Sequence, residues 1–203
     1  MNLKDFFLII STIAAIASPV IGIHSILKGD FHPQRMTRLL IFLISLLFVG
    51  TLFAQNDKNG IYIAGTQLFG SAIIFILSLK RGIGGKSRMD LVVFIMAMFS
   101  LVIWQTTSNP VLGLTMSIVT DLIAFFPTLI KTWKLPHTEE WKFYMSDVLA
   151  STFNILSIKN YSYGSLIFPI YIFLINSTSV LMINLRKRYL KKQCLTGEIN
   201  KAP

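Results

Sequence analysis

The chain has 203 residues, 53% of them hydrophobic and only 14% charged, with a net charge of +10 and a mean hydropathy of +0.64. A soluble globular domain is about 25% charged, so this composition belongs to the membrane class. The positive balance does not indicate nucleic-acid binding, because the Lys and Arg lie between long apolar runs. A single cysteine, Cys194, excludes an intrachain disulfide and a cysteine-built metal site.

Seven apolar segments are predicted, at about 5–27, 37–55, 60–80, 90–106, 109–131, 141–158 and 163–185. Each is long enough, or nearly so, to cross a hydrocarbon core of roughly 30 Å. The fourth and sixth are short and depend on interfacial flanks. The runs are continuous rather than alternating, which argues against a β-barrel. In lipid the backbone must satisfy itself, so helices are the expected solution.

In chain order, the first segment carries Pro19 and, near its end, His24. The polar loop Lys28 to Gln34 follows, then the apolar run Leu39 to Ala54. The third segment contains Gly65, Gln67, Gly70 and Ser71 and ends in Lys80-Arg81. Gly82 to Gly85 with Lys86 lacks the spacing of a phosphate loop. The fifth segment carries Asp121 and Pro127 and is predicted to end at Lys131, before the polar loop Lys134 to Glu140. The sixth carries Asp147 and Asn154, seven residues apart and so on one helix face. The seventh carries Asn176, Ser177 and Ser179 and ends in Arg186-Lys187-Arg188. The small residues suit close helix packing, and Trp104, Trp133 and Trp141 suit interfacial anchors.

Charge sets the orientation. Sixteen Lys and Arg fall in the first, third and fifth loops and the C-terminal region; Lys4, Lys58 and Lys159 fall on the other side. The positive-inside rule puts the larger group in the cytoplasm. The N-terminus is then outside and the C-terminus inside, which requires an odd number of helices. A cleaved leader ending near Ala15-Ile16-Ala17 would invert every later loop and is not expected. Asn160-Tyr161-Ser162 reads as a glycosylation sequon on the outer side. The tail from Arg186 to Lys192 is basic enough to touch anionic lipid.

The plan repeats. Pro19 and Pro127 occupy matching places in two triplets separated by one helix. The expected fold is therefore all-α integral membrane, with two parallel triple-helix repeats joined by a linker helix (3+1+3). The units are 1–81, a linker 82–108, 109–188, and a basic cytoplasmic tail 189–203. Repeats related by an axis along the membrane normal occur in transporters.

On these residues the chain resembles the PQ-loop/SWEET superfamily of small-solute transporters, over most of 5–188. The family's Pro-Gln pair stands here as Pro19-Val20 and Pro127-Thr128; Pro33-Gln34 is a literal match but lies in a loop. The resemblance implies a sugar-binding asparagine in the third helix of each half. Asn176 fits one such place; at the other stands Gly70, with Gln67 the nearest amide.

Asp121 is the most specific single residue. A charge at mid-membrane costs roughly 2.5–3.5 kcal/mol on insertion scales. A partner, a water cavity or protonation must offset that. It is expected either to couple transport to protons or to lock the fifth helix to an amide, Gln67, Asn154 or Asn176. No Lys or Arg is expected at its depth. Pro19 and Pro127 each remove a helix hydrogen bond and are read as paired hinges, with static bends as the alternative. Asp147 is expected near the cytoplasmic interface, and His24 as interfacial.

The function expected is passage of a small polar solute by alternating access, coupled to protons through Asp121, with Asn154, Asn176 and Gln67 at the site. The alternative is a non-transporting, receptor-like or scaffolding membrane protein. No nucleophile with a base and no metal-ligand spacing is present, so neither enzyme activity nor a cofactor is expected. The expected surroundings are the lipid bilayer of a bacterial cytoplasmic membrane, with a homodimer as a further partner and no nucleic acid.

Overall fold

In a computed structural model the described residues are 2–54, 58–85, 87–106, 110–159, 161 and 163–196. Among them the chain is all-helical: α1 (Leu3–Lys28), α2 (Arg35–Ala54), α3 (Lys58–Arg81), α4 (Arg88–Thr106), α5 (Pro110–Lys134), α6 (Trp141–Ser157) and α7 (Tyr163–Thr196), with a 3₁₀ turn at Pro136–Thr138. Each helix covers one of the predicted apolar segments. Several readings lie outside the described residues: the Asn56-Asp57 loop, Lys86, Lys201, the two ends of the Asn160 sequon, and the side chains of Lys58 and Trp104.

Local chemistry explains where helices begin and end. α1 ends at Gly29, whose φ of 87° lies in the left-handed region. The Gly29 N–H donates to the Ile26 carbonyl at 3.2 Å and the Asp30 N–H to Ser25 at 3.0 Å. This pattern closes a helix wherever glycine removes the Cβ clash. α4 opens with a reciprocal cap: Ser87 Oγ accepts the Asp90 N–H at 3.0 Å, and Asp90 Oδ2 accepts the Ser87 N–H at 3.0 Å. Glu140 caps α6 by accepting the Lys142 N–H at 3.0 Å. α7 departs most from expectation. It continues to Thr196 rather than ending near 185, because nothing in Arg186 to Lys192 breaks a helix. At about 1.5 Å per residue it is roughly 51 Å long.

The packing has a regular plan. α3 lies alongside both α1 and α2, and α7 alongside both α5 and α6, while the backbones of α1 and α2, and of α5 and α6, do not approach each other closely among the described residues. The two sets meet through α1 on α6 and α2 on α5. Exchanging α1, α2, α3 for α5, α6, α7 carries each of these pairs onto another. The helix starts are displaced by 107, 106 and 105 positions. α4 breaks the exchange, since it packs on α5 and α2 only.

Hydroxyl-to-backbone bonds fix the directions. Ser11 Oγ donates to the Ala150 carbonyl at 2.8 Å, and Ser18 Oγ to the Phe143 carbonyl at 3.3 Å. One register rises as the other falls, so α1 and α6 are antiparallel. At one end of the bundle three connections interlock. Gln34 pairs with Ile83, and the His32 N–H donates to the Thr138 carbonyl at 2.9 Å. Arg81 holds the end of α1 by donating to Ile26 at 2.7 Å. Gly82 is required there: a Cβ would come within 2.4 Å of the Ser78 carbonyl and 2.7 Å of the Pro33 carbonyl. At the opposite end Lys4 Nζ donates to the Ile158 carbonyl at 2.8 Å, and Lys159 pairs with Asp5 at 2.8 Å.

Two helical stretches, Leu3–Lys28 and Ser165–Cys194, are long and apolar enough to cross a membrane, among the described residues. Large apolar side chains also face outward on other helices, including Phe69 (73% exposed) on α3 and Phe99 (67%) on α4. The interior holds one cluster around Phe31, Phe125, Phe143, Tyr144 and Ile183, and a smaller one around Leu40, Val93, Ala97 and Ala124.

Candidate functional site

The site is built where the two helix sets meet. Thr37 on α2 donates to the Ala124 carbonyl at 2.7 Å and accepts from Thr128 Oγ1 at 2.9 Å. These bonds fix the first turn of α2 against α5. The next residue, Arg38, is thereby turned inward and is only 5% exposed. Its guanidinium carbon lies 4.9 Å from the centre of the Phe143 ring and 5.6 Å from that of Phe31, within the range of cation–π attraction. Its Nε and Nη2 are buried and have no hydrogen-bond partner among the described residues.

Arg38 acts electrostatically on Asp121, Lys131, Tyr144 and Asp147. This corrects the expectation that Asp121 has no cation near its depth. The error lies in counting Arg38 with the loop charges. It stands at the edge of the second apolar segment, and the fold turns it into the protein.

Asp121 is half-buried. Its Oδ2 accepts a 2.7 Å hydrogen bond from the Tyr171 hydroxyl of α7. Its partner is therefore a phenol rather than one of the three amides anticipated. Asp147, also half-buried, lies within bonding reach of the Ser18 hydroxyl, one residue before Pro19. Asp121 thus ties α5 to α7, the Ser18 bond to Phe143 ties α1 to α6 beside Asp147, and Arg38 from α2 acts on both carboxylates.

Below them, toward the interlocked connections, lies a buried ion pair. Lys131 and Glu139 are 2.6 Å apart, with side chains 6% and 0% exposed. Glu139 also accepts from the Tyr144 hydroxyl at 2.8 Å and from Thr132 at 3.4 Å. Lys131 donates in addition to the His32 carbonyl. The connection between α5 and α6 looked merely polar in sequence, yet Pro136, Thr138 and Glu139 are all buried.

The anticipated site residues do not form one bonded group. Asn176 is buried, and its Nδ2 donates to the Ile172 carbonyl of its own helix at 2.9 Å. Asn154 is half-buried and Gln67 exposed. No hydrogen bond joins any two of Asp121, Asn154, Asn176 and Gln67 among the described residues. Pro127 is buried beside Thr128. Pro19 is half-buried, and Gly70 lies so close to it that a Cβ would come within 2.9 Å of the proline ring. Gly70 therefore serves close packing, whereas a Cβ on Gly65 would meet nothing within 4 Å. A third intrahelical proline, Pro169, lies in α7 with no proline in α3 to match it. Pro33-Gln34 does structural work in its loop. The Gln34 Nε2 donates to Asp90 Oδ1 at 2.8 Å, joining the start of α2 to the cap of α4. His24 is exposed.

Sequence reasoning passed over Arg38, Tyr171, Glu139 and Ser18. Arg38 carried a usable signal, a cation followed directly by the apolar run from Leu39. The others carried none, because each acquires its role from a partner on a different element.

A cleft of about 490 Å³ opens at the interlocked end, lined in part by Asp30, His32, His137, Glu139, Glu140 and Lys187. Among the described residues no group of three His, Cys, Asp or Glu is placed to hold a metal. Comparison with protein-family models, with curated proteins and with solved structures finds no match to this chain.

Proposed function

We propose that the chain is a seven-helix membrane transporter for a small polar solute, built from two parallel triple-helix repeats joined by α4 and similar in plan to the PQ-loop/SWEET superfamily. One observation carries this reading. The helix packing maps onto itself when the two sets are exchanged, and ionisable residues of both sets converge where they meet. Alternating access by rocking one repeat against the other needs its solute path at that junction. Intramembrane ionisable residues mark such paths.

Further support comes from the outward apolar side chains of α1, α3, α4 and α7 and from the charge distribution. The described Lys and Arg of the interlocked end belong to the larger group of sixteen, which supports a cytoplasmic location for that end and an external N-terminus. Asp121 is the residue we assign to proton coupling, with Tyr171 holding its carboxylate in place. Pro19 and Pro127 are the hinges. By constitution they leave the Ala15 and Ile123 carbonyls without an intrahelical donor.

The test is solute flux in proteoliposomes holding the purified protein, measured against pH. Saturable, pH-dependent uptake above empty liposomes is the expected result. No flux for any neutral, cationic or anionic small solute would overturn the transporter reading.

A further inference from the structure

We infer that Arg38 is the receptor for a small organic anion, a monocarboxylate, held between the two helix sets. This deepens the transporter reading and rests on it for the role of the bound solute.

The inference starts from hydrogen-bond accounting. Buried donors are almost always paired, and each exception calls for a water, an ion or a ligand. Arg38 leaves two, Nε and Nη2, on a side chain 5% exposed. These are the two nitrogens along one edge of the guanidinium. That edge matches the two oxygens of a carboxylate in parallel, charge-assisted bonds.

The surroundings position the cation without using those donors. Phe31 and Phe143 contact it through their rings, which accept no conventional hydrogen bond. The charged and titratable groups that face it come from α5, α6 and the connection between them. Asp121 and Lys131 belong to α5, Tyr144 and Asp147 to α6, and Glu139 to the connection between them. Asp90 of α4 is occupied by Gln34, Gly85 and Ser87.

Lys131 and Glu139 neutralise each other. Asp121 is bonded to Tyr171, and Asp147 is within reach of Ser18. Neither carboxylate forms an ion pair with Arg38 among the described residues. They interact with it only from a distance and leave its bonding edge free.

The same two carboxylates select the ligand. A dianion would meet the field of Asp121 and Asp147 with only Arg38 in its favour. A neutral sugar would leave the guanidinium charge unused. A monocarboxylate matches the geometry of the unpaired edge and brings the least charge that can pair with it.

The experiment is thermal unfolding of the purified full chain in detergent, with acetate, lactate and benzoate as probes. Succinate, inorganic phosphate and glucose serve as comparisons. A ligand that binds only the folded protein raises Tm as its concentration rises. A rise of several degrees with at least one monocarboxylate is expected, with weaker or no response to succinate, phosphate and glucose. Arg38→Gln is expected to weaken the response about ten- to hundredfold in apparent affinity, and Arg38→Lys to restore part of it as a point charge without the fork.

No response of the wild-type protein to any monocarboxylate overturns the inference, whether or not the variants fold. So does an equal response to glucose, or a monocarboxylate response that Arg38→Gln leaves intact. The two readings fail separately. Flux of neutral solutes without carboxylate binding leaves the transporter and removes the anion site. Arg38-dependent carboxylate binding without any flux leaves the anion site and removes the transporter.

Discussion

At the scale of single residues, two ionisable pairs make different demands. Asp121 accepts one strong hydrogen bond from Tyr171 and has Arg38 acting on it from a distance. Asp121→Asn keeps a carbonyl oxygen for Tyr171 to donate to but cannot titrate. It is expected to fold normally and to transport with a pH profile flattened relative to wild type, measured as flux in proteoliposomes. Tyr171→Phe removes only the donor and serves as the companion. If it lowers Tm while Asp121→Asn leaves the pH profile unchanged, the pair is a lock between α5 and α7 and the coupling role is wrong. Lys131 and Glu139 differ because both are shut away from water. Removing one partner of such a pair leaves an uncompensated charge, at a cost of about 3–5 kcal/mol. Glu139→Gln should therefore lower Tm sharply, and Lys131→Met combined with it should recover much of the loss. A double variant as unstable as the single one would refute that account.

At the scale of elements, the prolines and the interlocked connections decide what can move. Pro127 is buried in the face of α5 that meets Thr37 and Leu40 through its neighbours Thr128 and Ala124. Pro127→Ala would return a donor to the Ile123 carbonyl and stiffen α5 at that point. We expect this variant to insert and to keep its Tm, but to lose most of its transport rate. Wild-type flux would reduce Pro127 to a static bend. The connections at the other level are tightly fastened. Gly82 admits no Cβ, and Gly84, with φ of 75°, would drive one into the Gln34 side chain. The glycine-rich turn, which lacks the spacing of a phosphate loop, is thus explained by close approach of backbone and side chains.

At the scale of the whole molecule, seven helices among the described residues alternate between two ends, and the described cationic helix ends gather at the end where 29–34, 82–85 and 135–140 interlock. A reporter fused after Lys192 should read cytoplasmic, and one inserted at Asn56-Asp57 should read external. An external C-terminus would refute the seven-span topology and its parallel repeats together. By length and composition only two of the helical stretches qualify alone as membrane spans among the described residues. On the function proposed above the others cross as members of a bundle, where a polar residue such as Asp121 of α5 finds its partner, Tyr171, on a neighbouring helix.

The amino-acid sequence alone determined that the chain is helical and where its helices lie, apart from the extension of α7 beyond 185. Helix formation follows from runs of apolar residues and from caps that act within a few positions, such as Gly29 and the Ser87–Asp90 pair. It also showed that Asp121 would need a partner, because the cost of desolvating a carboxylate does not depend on the fold. Only the tertiary structure decided who that partner is, that Arg38 turns inward, and that Glu139 closes over Lys131. Each of these depends on residues from about 8 to 109 positions apart being brought onto one interface. A single side chain carries no record of what will pack against it, so contacts across helices become visible only when the helices are placed.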